Sequence, residues 1–357
     1  MKKPNESMAL LDMFMHPAFR VKDGIICEVN SYAAHCRIVP GTSVDTLITH
    51  DKDVYNTFDG SCLSLCVNVE SVDYIATVYP TENGDIFHLQ SAEDSPELRV
   101  MTLAAQQLRS PLSEIMSAAG SLFAKEAIQE TAEYRKQAGI INKGLYQILR
   151  EIGNMSAASS YRQGRIYGKE TKNIVSVVNE TMEKAQALCN ASAQRLVYAP
   201  LCEDIYCSVD SEMLERAIYN LISNALKFSP IGSLVTAKLT AGQEKLRFCV
   251  ESEITDSALT QKNLFLRYIR DADVEDGRHG LGLGIPLTQY AAFAHGGSLL
   301  KDHPKGNKVR FTLTLSTAAP KEPVLSSPFP DFDYMGGLDH GLVELSDVLP
   351  ASAYENL

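Results

Sequence analysis

From Ser95 to about Ser160 the apolar residues fall three or four positions apart, in two successive segments. The first runs Leu98, Met101, Ala105, Leu108, Leu112, Ile115 and Ala119. Ser95-Pro96-Glu97 opens it with a capping serine, a proline at the first helical position and an acid in the first turn. After a break near 124–129, the second carries Ile140 or Ile141, Gly144 or Leu145, Ile148, Leu149, Ile152 and Met155. The spacing predicts two long helices with one apolar face each. An isolated hairpin cannot bury two such faces, whereas pairing with a second copy into a four-helix bundle can. The expected unit is a helical hairpin over 95–165 that forms a homodimer.

The remaining segments read differently, and the chain is expected to be an α+β multidomain protein. Residues 1–94 alternate short apolar runs with turn signals at Asp23-Gly24, Pro40-Gly41, Asp59-Gly60 and Asn83-Gly84. Leu63–Val69 and Tyr74–Tyr79 read as strands. Residues 166–316 mix helices (Asn173–Cys189, Ser211–Phe228) with strands at Arg195–Ala199, Leu234–Leu239, Leu246–Glu251 and Lys308–Leu315. Residues 317–357 are rich in proline and hold seven acids against Lys321, the composition of a disordered tail. Within that tail, Leu342–Leu349 has the alternative reading of a short docking helix or strand.

Charge and cysteine usage exclude several classes. A net charge of −11 argues against nucleic-acid binding, which needs basic surface. No apolar run reaches the roughly 18–20 residues of a membrane span, and the N-terminus is too interrupted for a signal peptide, so a cytoplasmic location is expected. The eight cysteines include no C-x-x-C pair and read as scattered thiols in a reducing compartment.

Asn220, Asn224 and Lys227 in the run N-L-I-S-N-A-L-K-F-S fall at i, i+4 and i+7, on one face of a helix. Some sixty residues on, Gly280-Leu281-Gly282-Leu283-Gly284 opens a further helix, and glycines there allow close backbone approach to an anion at a helix N-terminus. These two runs resemble the N box and second glycine box of the sensor histidine kinases. Ala105–Leu112 (A-Q-Q-L-R-S-P-L) resembles that family's H box, and Leu264–Arg270 its phenylalanine box. Lys22–Ala33 (K-D-G-I-I-C-E-V-N-S-Y-A) is similar to the strand–turn–strand–helix opening of a PAS domain. The resemblance implies a PAS-like sensor domain, dimerisation and phosphoacceptor helices, and an α/β-sandwich ATPase domain of the GHKL type. It further implies ATP with Mg²⁺ as cofactor, with Asn220 and Asn224 holding the metal. Lys227, Gly280, Gly282 and Gly284 would meet the phosphates.

Three departures from that pattern decide the functional expectation. Gln106 stands at the phosphoacceptor histidine and Gln107 at the adjacent acid; a carboxamide neither carries a labile phosphoryl group nor takes a proton. Ser252-Glu253-Ile254-Thr255-Asp256 stands where the family has D-x-G-x-G, whose aspartate binds the adenine amino group. Losing a hydrogen bond to such a charged acceptor costs roughly 1.5–3 kcal/mol. The lid between Arg270 and Gly280 holds four acids (Asp271, Asp273, Glu275, Asp276), which repel polyphosphate. The expectation is a pseudokinase scaffold that is unable to autophosphorylate. It would act on a response regulator, a phosphotransfer protein or another histidine kinase, and dock it through Arg109, Ser110 and Pro111. Two alternatives stay open: a kinase or phosphatase of altered chemistry, and a non-catalytic nucleotide sensor.

Overall fold

The computed structural model describes residues 11–91, 108, 112–113, 115–120, 132–162, 169–190, 195–201, 203–230, 232–242, 244–254, 282–304, 307–318 and 337–355. The N-terminal body contains β1 (Ala18–Lys22), β2 (Ile25–Val29), α1 (Ser31–His35), α2 (Lys52–Asn56), β3 (Cys62–Val69), β4 (Val72–Tyr79) and β5 (Asp85–Ser91). Its strands are antiparallel in the order β2-β1-β5-β4-β3. Both turn signals next to the strands hold: Asp23-Gly24 joins β1 to β2, and Gly84, at φ +113°, sits where a Cβ would lie 2.4 Å from the Val21 carbonyl oxygen. Stacked Phe19 and Phe87, 5.0 Å apart, centre the core. Asn30 fastens the entry, its Oδ1 accepting from the Ala33 and Ala18 amides while Nδ2 donates to the carbonyls of Leu11 and His16.

The second body follows as β6 (Glu170–Asn173), α4 (Ile174–Cys189), β7 (Arg195–Ala199), β8 (Tyr206–Val209), α5 (Ser211–Phe228), β9 (Leu234–Gly242), β10 (Lys245–Glu253), α6 (Gly284–Ala294), β11 (Ser298–Asp302) and β12 (Lys308–Ser316). Strands β9 and β10 alternate buried and exposed residues, burying Val235, Ala237 and Leu239 on one and Leu246, Phe248 and Val250 on the other. One face therefore packs on helices. The order β11-β12-β10-β9-β7 is antiparallel except for the parallel pair β7–β9. Asp210 caps α5, its Oδ1 accepting from Met213 N at 3.0 Å, and its own amide donates to His295 Nε2. Burial pulls His295 down to about 4, so the ring stays neutral and available as that acceptor.

Two features were not expected from the sequence. Edge strand β3 pairs antiparallel with β11, setting Lys301 opposite Cys62 and merging the two bodies into one ten-stranded sheet. The C-terminal tail, expected to be disordered, is folded over 337–355. There, α7 (His340–Glu344) and a 3-10 turn (Ala351–Tyr354) bury Leu342, Val343, Leu345, Leu349 and Tyr354. The segment lies against α3 (Ala132–Arg162), with Tyr146 and Tyr354 edge to face at 5.2 Å and Asn142 Nδ2 donating to the Tyr354 carbonyl. Segment-wide acidity hid this local apolar run, which matches the docking alternative for Leu342–Leu349. The proline-rich stretch 319–336 lies outside the described residues.

On α3 the buried apolar residues are Ala138, Leu145, Tyr146, Leu149, Ile152, Ala157 and Ala158, whereas Ile140, Ile141 and Ile148 are exposed. The broad apolar face expected there is thus split between this protein's own core and solvent.

His295-Gly296-Gly297 makes the tight passage from α6 into β11. A Cβ on Gly297 would lie 1.8 Å from the Thr314 carbonyl oxygen, a backbone atom that cannot yield. Gly297→Ala is expected to cost about 3 kcal/mol, measured by urea unfolding; an unchanged midpoint would contradict the close approach.

Candidate functional site

Helix α5 is amphipathic, with Met213, Leu214, Ala217, Ile218, Leu221 and Ile222 buried in the core. Its spacing carries Asn220, Asn224 and Lys227 toward the N-terminus of α6. Gly282 holds φ +69°, and Gly284 comes so near Asn220 that a Cβ would sit 3.1 Å from its Oδ1. Between these elements lies a cavity of about 360 Å³. Asn224, Lys227, Gly282 and Gly284 line it, and Asn220 is buried beneath, at 1% exposure. Gly280 lies outside the described residues, as do Gln106, Gln107, Arg109, Ser110, Pro111, the lid and the phenylalanine-box stretch.

The sheet forms one end of the cavity. Period-two alternation sends Ser252 of β10, Val309 and Phe311 of β12 and Lys301 of β11 to the helix-covered face, and all four line the space with Ile254. Lys301 Nζ sits 5.8 Å from the Phe311 ring centroid, and burial pulls its ammonium down to about 8. This end therefore offers a hydroxyl and an ammonium on apolar walls. The carboxylate acceptor of the family pattern is absent, and a donor to hydrogen-bond acceptors stands nearby.

The opposite end is closed by ion pairs. Arg150 of α3 donates from Nη2 to Asn220 Oδ1 at 3.3 Å and to Ser223 Oγ at 3.4 Å. Its Nη1 bonds Asp347, and its Nε lies 3.6 Å from Glu344. Lys227 Nζ reaches the same Asp347 oxygen at 3.1 Å. Glu344 also faces Arg216 at 3.8 Å, and Arg216 Nη1 donates to the Gly153 carbonyl. Burial alone would raise the Asp347 carboxyl, but Arg150 and Lys227 outweigh it and hold it below the usual carboxylate range. Asp347 is thus an anion wherever the protein is folded near neutrality.

Arg150, Lys301, Glu344 and Asp347 were missed in the sequence. Arg150 sits inside an apolar stripe. The signal that marks the acids is the three-residue spacing of Glu344 and Asp347 inside Leu342–Leu349, which puts two carboxylates within a run that must be buried.

Asn220 does not offer its oxygen to a divalent metal in this arrangement, which leaves Asn224 as the asparagine of the pair that faces the cavity. Asn220 Oδ1, the oxygen such an ion would need, already accepts from a guanidinium, whose fixed positive charge repels a cation at that atom. Its Nδ2 is buried without a hydrogen-bond partner, a donor rather than a ligand. Among the described residues there is also no group of three or more His, Cys, Asp or Glu side chains placed to hold a metal ion.

The sequence profile described as "Histidine kinase-, DNA gyrase B-, and HSP90-like ATPase" matches residues 209–318. Sensor protein KdpD of Clostridium acetobutylicum is 29% identical over 205 residues, covering 55% of this chain and 22% of that protein. The probable sensor protein PcoS of Escherichia coli is 27% identical over 218 residues, covering 59% of this chain and 45% of that protein. A solved structure, full-length ShkA in complex with AMPPNP, superposes on 64% of this chain and 47% of its own, with a TM-score of 0.46 and 19% identity. The chain spans less than half the length of these relatives.

Glu344 is fully buried between two arginines. Removing it leaves Arg150 with Asp347 and Arg216 with the half-exposed Glu212 in place of a shared, fully buried anion, so Glu344→Ala is expected to cost about 3 kcal/mol, read from urea denaturation. A loss below about 1 kcal/mol, the range of an exposed pair, would contradict the buried cluster.

Proposed function

The chain belongs to the sensor histidine kinase family and carries its GHKL-type ATPase domain, and from that premise we propose that it signals as a pseudokinase, a scaffold or regulator without phosphotransfer of its own. The observation that carries this reading is Gln106 in A-Q-Q-L-R-S-P-L, where the family pattern needs an imidazole. A carboxamide has no ring nitrogen to attack a phosphorus atom, and Gln107 beside it is no base. Ser252 and the Lys227–Asp347 pair support it, because the base end has lost its carboxylate and the phosphate end already holds an anion.

The expected partners are a second copy of this chain and a response regulator, phosphotransfer protein or true histidine kinase. Tyr134, Ile141 and Ile148 are exposed on α3 at intervals of seven, and Leu108 and Ile115, seven apart, are exposed upstream. Such a stripe is the seam of a helical bundle and supports pairing with a second copy. In the N-terminal body, helices lie between β2 and β3 of a five-stranded antiparallel sheet, which supports a PAS-like sensor. Among the described residues no helix is long and apolar enough to cross a membrane. The open cavity favours one second reading, a nucleotide sensor that switches conformation without chemistry.

Incubation with Mg²⁺-ATP is expected to yield no phosphohistidine on the chain and no phosphate on a mixed response regulator. Acid-labile phosphate on the purified protein would overturn the pseudokinase reading. Sedimentation is expected to give a dimer that Ile141→Asp with Ile148→Asp turns into a monomer; a wild-type monomer would remove the bundle.

A further inference from the structure

Lys227, Arg150 and Arg216 converge from two helices on a pair of carboxylates that belong to neither. Asp347 satisfies Lys227 and Arg150 together. Glu344 is shared by Arg150 and Arg216. Were Asp347 to leave, Arg216 would keep Glu344 and Glu212, and Arg150 would keep Glu344 with Glu151 nearby, but Lys227 and the Nη1 side of Arg150 would face the cavity without their shared anion. Arginine and lysine set side by side are also the pair of donors that phosphate oxygens take best, a fork and a point charge. The oxygen of Asn220 that would hold a metal is filled from the protein side by the Arg150 guanidinium.

We propose that this end of the cavity is a metal-independent anion site, in which Arg150 supplies the positive charge at Asn220 and the Asp347 carboxylate is the built-in occupant that an incoming phosphate group must displace. The proposal rests on the cavity remaining a ligand site, as the second functional reading has it. It assigns to that cavity a ligand class, a polyphosphate or phosphorylated molecule without its metal, and a regulator, the C-terminal segment. Asp347 is held at high local concentration because Leu345, Leu349 and Tyr354 anchor the segment on either side. Free phosphate groups therefore compete with a tethered carboxylate, and the apparent affinity falls by the fraction of molecules in which the segment is seated. Displacement need not unfold the anchors. The carboxylate lies at the cavity rim and is partly exposed, whereas Glu344 one helical turn earlier is sealed. Occupancy of the cavity and the seating of residues 337–355 on α3 are thereby coupled, so that a bound anion reports to the bundle helix.

The test uses the full chain and two probes, a fluorescent ATP analogue and inorganic tripolyphosphate, each with Mg²⁺ and with EDTA. Asp347→Ala and the shape-preserving Asp347→Asn are compared with wild type, and urea midpoints check that both variants fold. Both are expected to bind at least about tenfold more tightly than wild type, equally in EDTA, with binding lost again in Asp347→Asn combined with Lys227→Ala. Equal affinity of wild type and folded variants, or binding only with Mg²⁺, would overturn the proposal. ATP bound through Mg²⁺ regardless of Asp347 sinks the anion site and leaves nucleotide sensing standing. Tripolyphosphate bound in EDTA by the variants, with the ATP analogue excluded, upholds the anion site and removes the nucleotide reading.

Discussion

Arg150 and Arg216 reach the same buried carboxylate from different helices, and that carboxylate comes from a segment near the C-terminus. Buried charges tolerate no vacancy, because each desolvated ion needs partners in fixed geometry. Once Arg150 is inside, Glu344 and Asp347 have to be there too, and residues 337–355 must fold against α3 and α5 to deliver them. The apolar side chains around them are what make delivery possible: Leu342, Leu345, Leu349 and Tyr354 supply burial, each side chain contributing roughly 1.5–3 kcal/mol, while the ion pairs fix the register. Neither component alone specifies the arrangement. Apolar burial would accept several rotations of so short a segment, and an ion network without burial would dissolve in water.

The second constraint is the seam between β3 and β11. Either strand alone would present an unpaired edge, and their pairing covers both. Gln289 Nε2 donates to Ser64 Oγ across the same seam, and Lys245 of β10 reaches Asp51 and Asp53 at the start of α2. The register places Cys62 beside Lys301, whose ammonium looks into the cavity from the sheet side. The sheet-side wall of the cavity is thus the strand that pairs with the N-terminal body, while the Asp347 segment lines the opposite end.

Much of this was legible because it depends on local periodicity. The Ser211–Phe228 helix, strands β9, β10 and β12, the Asn83-Gly84 turn and the helix after the glycine run all follow from spacing and turn chemistry. Long-range pairing was not. Nothing in Leu63–Val69 distinguishes an inner strand from an edge that meets another body, since alternation is the same in both. The tail failed for a different reason. Averaging acidity over some forty residues treated Glu344 and Asp347 as repelling solvated charges, yet their meaning lies in two arginines and a lysine far away in sequence. The motif residues themselves were placed correctly on one helix face, but spacing cannot tell which of them is already taken.

The retained N box has a structural meaning in this fold. Asn220 and Lys227 would ordinarily argue for a working magnesium–nucleotide site, and here each has another occupation. Asn220 accepts from Arg150, and Lys227 neutralises Asp347. Replacing Asn220 by an apolar residue would strand a guanidinium N–H, and replacing Lys227 would leave the partly buried Asp347 carboxylate with one partner fewer. Two of the three motif residues are therefore engaged by Arg150 and Asp347 whether or not any nucleotide ever enters. A sequence motif can be intact because its side chains hold the fold, so its presence does not by itself establish a bound nucleotide.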